Sequence, residues 1–128
     1  SWIVKTESNS VYFSGDSGYD IHYKEIGDKH GPFDLVFMDS GSYNERWRPL
    51  HNMPEEAVQA VLDLKGEVTV PIGWGMFNLA MHNWFDPVEE SEKYAQKFGI
   101  KLMTPKLGQL VSMENKNVFE KWWKDLMD

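Results

Sequence analysis

Three polar stretches, each following an apolar run, hold most of the side chains with chemistry to offer. They are "GDSGYD" at 15–20, "DSGSYNERWRPLHNMPEE" at 39–56 and "GWGMFN" at 73–78. Between them they carry Asp16, Asp39, Tyr43, Arg46, Arg48, His51 and Trp74. Asp16 closes the β-prone run "VYFSGD", where a carboxylate is costly unless something compensates its charge. Two readings are open there: a metal ligand, or the N-cap of a helix beginning near Tyr19. His51 stands three residues before Pro54, and by spacing alone it reads as an exposed, capping-type histidine near a helix start. His22, His30 and His82 have no metal-ligand spacing with one another and read as surface or helix-face residues. Trp122 and Trp123 fall in a helical pattern and read as core packing or a docking face.

The elements that must position these loops are legible as alternating patterns. "WIVKT" and "VYFSG" flank the turn cluster "ESNS" and predict a hairpin. Tyr19, Tyr23 and Ile26 predict a helix stopping at Gly31, and "FDLVFMD" predicts a strand covered on both faces. "MPEEAVQAVLDLKG" predicts a helix opened by Pro54 and closed by Gly66, with a stripe of Ala57, Val58, Val61, Leu62 and Leu64. "EVTVPI" reads as a buried strand. "DPVEESEKYAQKFG" reads as a helix with Asp86 as N-cap, Pro87 at N1 and Gly99 as stop. "IKLMTP" and "QLVSM" are expected to be closing strands, and "NVFEKWWKDLMD" a final amphipathic helix. Strands alternating with helices imply an α/β layer architecture with a mostly buried sheet flanked by helices. Ligands of open α/β sheets bind beyond the carboxyl ends of the strands, so the three loops are expected to share one rim.

Composition narrows the classes. The 128 residues are expected to form a single unit, 1–128, and 41% hydrophobic with 14% aromatic content is ample for a core. Twenty acidic against 13 basic side chains leave a net charge of −7, which disfavours nucleic acid or an anionic membrane as a general partner. Without cysteine there is neither a disulfide framework nor a thiolate metal site. No apolar run approaches the ~20 residues of a membrane helix, and a cytoplasmic location is expected. The opening "SWIVKTESNSVYFSGD" is already strand, turn and strand, so the chain is expected to be part of something longer.

Taken together, "VYFSGDSGYDIHYKEIGDKHGPFDLVFMDSGSYN", "HNMPEEAVQAVLDL" and "PIGWGMFNLAMHNWFDP" resemble the C-terminal half of a metallo-β-lactamase-fold hydrolase. The resemblance runs from about Val11 to about Gly108. It is greatest to the branch containing the phospholipase D that hydrolyses N-acyl-phosphatidylethanolamine, with its bacterial relatives. It implies half of an αββα sandwich and a di-zinc hydrolase acting on a phosphodiester, phospholipid or related ester. By the same resemblance Asp16 would bridge two zinc ions, and such an anion offsets part of their mutual repulsion. His51 would contact substrate or the reacting oxygen rather than ligate metal; Tyr43, Arg46 and Trp74, by their place on the loops after the strands, are expected to form the substrate rim.

Two departures from the family pattern qualify this. Where the family reads Ile-His-Trp-Gly, with the histidine a zinc ligand, this chain has Gly73. The family's HxHxDH cluster is absent from these 128 residues. A catalytic zinc wants about three protein ligands and a water, so the isolated chain is expected to be inactive and to bind zinc weakly or not at all. The N-terminal half of a parent domain is the expected partner, and the chain alone is expected to form a homodimer that covers its bare sheet face. The competing expectation is a degenerate, non-catalytic half-domain serving as an interaction or structural module.

Overall fold

The computed structural model describes residues 1–114, 116 and 119–127. Five strands form one sheet in sequential order: β1 (Trp2–Lys5), β2 (Ser10–Phe13), β3 (Leu35–Asp39), β4 (Val68–Ile72) and β5 (Lys101–Leu102). β1 and β2 are the expected antiparallel hairpin, and every later pairing is parallel. Each parallel step needs a crossover, and the helices α1 (His22–His30), α2 (Pro54–Asp63) and α3 (Asp86–Phe98) supply them.

The two-residue period of the strands divides the core. Tyr12, Val36 and Met38 point to one face, where Tyr23 of α1 and Ala57, Ala60, Val61 and Leu64 on and just after α2 close over them. On α2 it is Ala60, rather than the expected Leu62, that is fully buried. A Val or Leu side chain so buried contributes about 1.5–3 kcal/mol over the same side chain in water. Leu35, Val68 and Val70 point to the opposite face and pack with Met103 and Phe119. α3 packs on α2 and β5 and buries Val88 and Ala95.

That second face is only partly covered. Val111, Met113 and Phe119 lie over its β4–β5 side. Trp2, Val4 and Phe13, which share the face on β1 and β2, are 74, 59 and 42% exposed.

Four local expectations are corrected. "QLVSM" forms no strand, because Val111 and Met113 lean on the sheet face instead of extending its edge. The expected helix over 117–128 is, among the described residues, a 3-10 turn at Trp122–Leu126, while Asn117, Val118 and Asp128 lie outside them. The turn is held by stacking: the Trp122 ring lies 5.4 Å from Trp74 and 6.4 Å from Trp84. Asp86 is the first residue of α3 and Phe85 its N-cap, since the Asp86 carboxylate accepts from the Asn83 N–H. Asp16 does not cap α1, which begins six residues later, and the Asp20 carboxylate takes the Ile21 N–H.

Candidate functional site

β2, β3 and β4 run parallel, so the loops that follow them emerge at the same edge of the sheet. Asp39 ends β3, paired in the ladder with Ile72, and its carboxyl is 3% exposed. Four contacts hold it. Its N–H donates to Ser14 Oγ at 2.8 Å, and its carbonyl accepts from Asn52 Nδ2 at 3.1 Å. Its Oδ2 accepts from the Ser17 N–H at 3.3 Å and lies 2.9 Å from His51 Nδ1. Burial pushes the Asp39 carboxyl above its ordinary range, and the His51 contact only partly offsets this.

The buried carboxylate at a strand end is therefore Asp39. β2 stops at Phe13, the Ser14 N–H pairs with Phe37 O, and the chain then turns outward to leave Asp16 exposed. Gly18 lets this loop touch the next one, since a Cβ there would lie 2.0 Å from the Arg48 carbonyl oxygen. The contact brings Asp16 back towards Asp39. Donor atoms of Asp16, Asp39 and His51 all lie within 4.8 Å of one another.

His51 is not an exposed capping residue: its side chain is 22% exposed and turned to Asp39. Against an ionised carboxylate, which only accepts, Nδ1 is the donor, and in the neutral ring Nε2 keeps its lone pair. The three residues line a cavity of about 570 Å³ together with Gly73 and an apolar wall of Trp47, Leu50 and Leu79. Gly73 has φ +79°, and a Cβ built on it would lie 3.3 Å from Asp39 Oδ1. A side chain at this position would start beside the carboxylate.

The expected rim residues lie elsewhere. Tyr43 stacks on His82 with centroids 4.2 Å apart and lines a neighbouring cavity of about 820 Å³ with Tyr19, Arg48 and Tyr94. Burial, then Asp86 and Glu90, push its phenol up to about 12. Trp74 donates its indole N–H to Pro71 O and packs against Trp122 and Trp123. Arg46 is exposed, and Arg48 pairs with Glu45 and Glu56. Asp39 and Asn52 carry more of the site than sequence reasoning assigned them. Asp39 had a readable signal, a carboxylate ending an apolar run. Asn52 had none.

This parallel sheet with donors gathered at its carboxyl edge belongs to a known class. Residues 1–74 match the family described as the beta-lactamase superfamily domain, and the chain belongs to that family. An uncharacterized protein of Mycobacterium tuberculosis is 38% identical over 127 residues, covering 97% of this chain and 34% of that protein. The N-acyl-phosphatidylethanolamine-hydrolyzing phospholipase D 1 of Caenorhabditis elegans is 34% identical over 87 residues, covering 66% of this chain and 24% of that enzyme. Among solved structures, Igni18, a novel metallo hydrolase from the archaeon Ignicoccus hospitalis, superposes with a TM-score of 0.62 at 21% identity. That match covers 81% of this chain and 41% of the other, and together with the family match over residues 1–74 it gives the metallo-β-lactamase-type fold. The chain spans about a third of the length of the first of these curated relatives.

Proposed function

We propose that this chain is the C-terminal portion of a zinc-dependent hydrolase acting on a phosphodiester or related ester, and that Asp16, Asp39 and His51 hold a divalent cation. The observation that carries the reading is the convergence of their three donor atoms within 4.8 Å, on loops far apart in sequence. Two carboxylates and an imidazole are a donor set that zinc accepts, and manganese or iron can use it too. The cation would supply Lewis acidity to the reacting ester.

The chain's own residues do the rest. Asp39 Oδ2 is occupied by His51 and Ser17, which leaves Oδ1 for the cation. Asp39 also orients the His51 ring through Nδ1, which in the neutral ring would leave the free lone pair on Nε2. The contact with the reacting oxygen that the family resemblance assigns to His51 would compete with cation binding for the ring's one free lone pair. Trp47, Leu50 and Leu79 form a wall that suits the apolar part of an ester. A second metal would need donors from the part of a longer protein that the curated relatives carry beyond the matched third. The same part would cover Trp2, Val4 and Phe13.

The test is metal content after incubation with zinc and desalting, on the wild-type chain and on Asp16→Ala. The three-donor set revises the expectation of weak or no zinc binding: about one zinc per chain, falling sharply in the variant, is the expected result. Less than about a tenth of a zinc per wild-type chain would overturn the assignment. Gly73 favours a second reading, a half-domain that has lost catalysis. Metal binding without ester hydrolysis, even when the chain is joined to the rest of a parent protein, would select it.

A further inference from the structure

We infer that Asn52 is a positioning residue: its side-chain amide pins the segment carrying His51 to the backbone of Asp39 and so sets the geometry of that pair. Asn52 is 1% exposed. Its Nδ2 lies 3.1 Å from Asp39 O, 3.3 Å from Tyr23 Oη and 3.4 Å from Met38 Sδ. A carbonyl oxygen only accepts, so the contact with Asp39 O decides which end of the amide faces β3. The other end, Oδ1, is buried and has no hydrogen-bond partner among the described residues.

An orphaned acceptor is a cost that no packing role requires. Leucine has the same number of side-chain heavy atoms, though it is bulkier, and would pack beside Tyr23 and Met38 without the orphan. What asparagine adds is the bond to the Asp39 carbonyl. The need for such a bond is visible in the preceding loop, where residues 45–50 are all exposed. Packing there does little to fix where His51 stands. Within the loop, His51 N–H donates to Trp47 O at 2.9 Å, which ties it only to another loop residue. On the far side, Met53 N–H donates to the Glu56 carboxylate and orients the start of α2. Between the exposed loop and the helix, Asn52 is the buried peg, and it grips the very residue that His51 must face.

The consequence for cation binding rests on the reading of Asp16, Asp39 and His51 given above, whereas the consequence for the His51 ring does not. The experiment compares wild type, Asn52→Leu and Asn52→Ala, the alanine variant serving if leucine does not fold. Three quantities are read: the thermal midpoint, the ring ¹⁵N shifts of His51 at one fixed pH, and the dissociation constant for cobalt(II). Asn52→Leu is expected to fold with a lower midpoint than wild type, because it leaves the buried Asp39 carbonyl without its donor. His51 is expected to lose its Nδ1–H tautomer preference, and cobalt(II) binding to weaken roughly tenfold, the usual scale for losing a group that orients a ligand. Unchanged His51 ring shifts in a folded variant would overturn the inference, whether or not the midpoint falls. Wild type that binds no cobalt(II) would overturn the cation reading, and the ring shifts would still decide the role of Asn52.

Discussion

His51 and Asp39, 12 residues apart in the chain, meet with Nδ1 2.9 Å from Oδ2 at the end of β3. The exposed loop between them leaves β3 and returns to the same edge of the sheet. The carboxyl they share is buried, and burial works against its charge. Asp39→Asn keeps the shape and removes the charge. It is therefore expected to raise the thermal midpoint at neutral pH while weakening divalent-cation binding at least tenfold, the scale set by losing a ligand-orienting contact. Differential scanning calorimetry and a cation titration on one preparation check both signs. A lower midpoint with unchanged affinity would show that Asp39 serves the fold alone.

Gly73→His tests the position where the family resemblance places a ligand. The backbone there has φ +79°, which costs an L-residue roughly 1–2 kcal/mol. The new side chain would start beside Asp39 Oδ1. The variant is expected to melt earlier without metal and to bind zinc more tightly than wild type. Chemical denaturation without metal and a zinc titration give the two numbers.

Tyr19 links the first loop to the end of α2 through its hydroxyl, which donates to Asp63 Oδ2 at 2.5 Å. That bond, more than burial, pushes the phenol from 10.0 up to about 12. A group whose folded value is raised contributes stability that is fully present below its unfolded value and lost as pH climbs through the folded one. The stability difference between wild type and Tyr19→Phe should thus be constant below about pH 10 and shrink towards pH 12. Paired urea denaturation across that range measures it, and a difference independent of pH would remove the Asp63 bond as its source.

Trp2, Val4 and Phe13 form an apolar strip on the uncovered side of the hairpin. The 128-residue chain alone is expected to bury it against a second copy, because exposed apolar area of this kind favours association. Sedimentation velocity over a concentration series should show dimer formation, and Phe13→Lys should weaken it severalfold. A wild-type monomer throughout the series would refute the expectation.

Much of the fold is legible in the residues themselves. "WIVKT", "VYFSG", "FDLVFMD" and "EVTVPI" become strands because their periodicity and β-branched content act within a few residues. Pro54 and Gly99 bound helices for reasons as local: a preset φ at one end and a left-handed backbone at the other. The C-terminal tail is not legible in this way. Val111, Met113, Phe119 and Trp122 take their places from the sheet face and the tryptophans they meet, and neither is encoded nearby in sequence.

The same division runs through the candidate site. The amino-acid sequence alone determined that Asp16 and His51 lie on loops after strands, that Asp39 closes an apolar run, and that no histidine stands at position 73. Only the tertiary structure decided that Asp39 is buried while Asp16 is exposed, and that His51 turns to Asp39. It also decided that Tyr43 and Trp74 face other cavities and stacks. Strand and helix preferences are short-range and survive in isolation. Which carboxylate loses its water, and which ring finds it, depends on chain segments that meet only after the sheet has assembled.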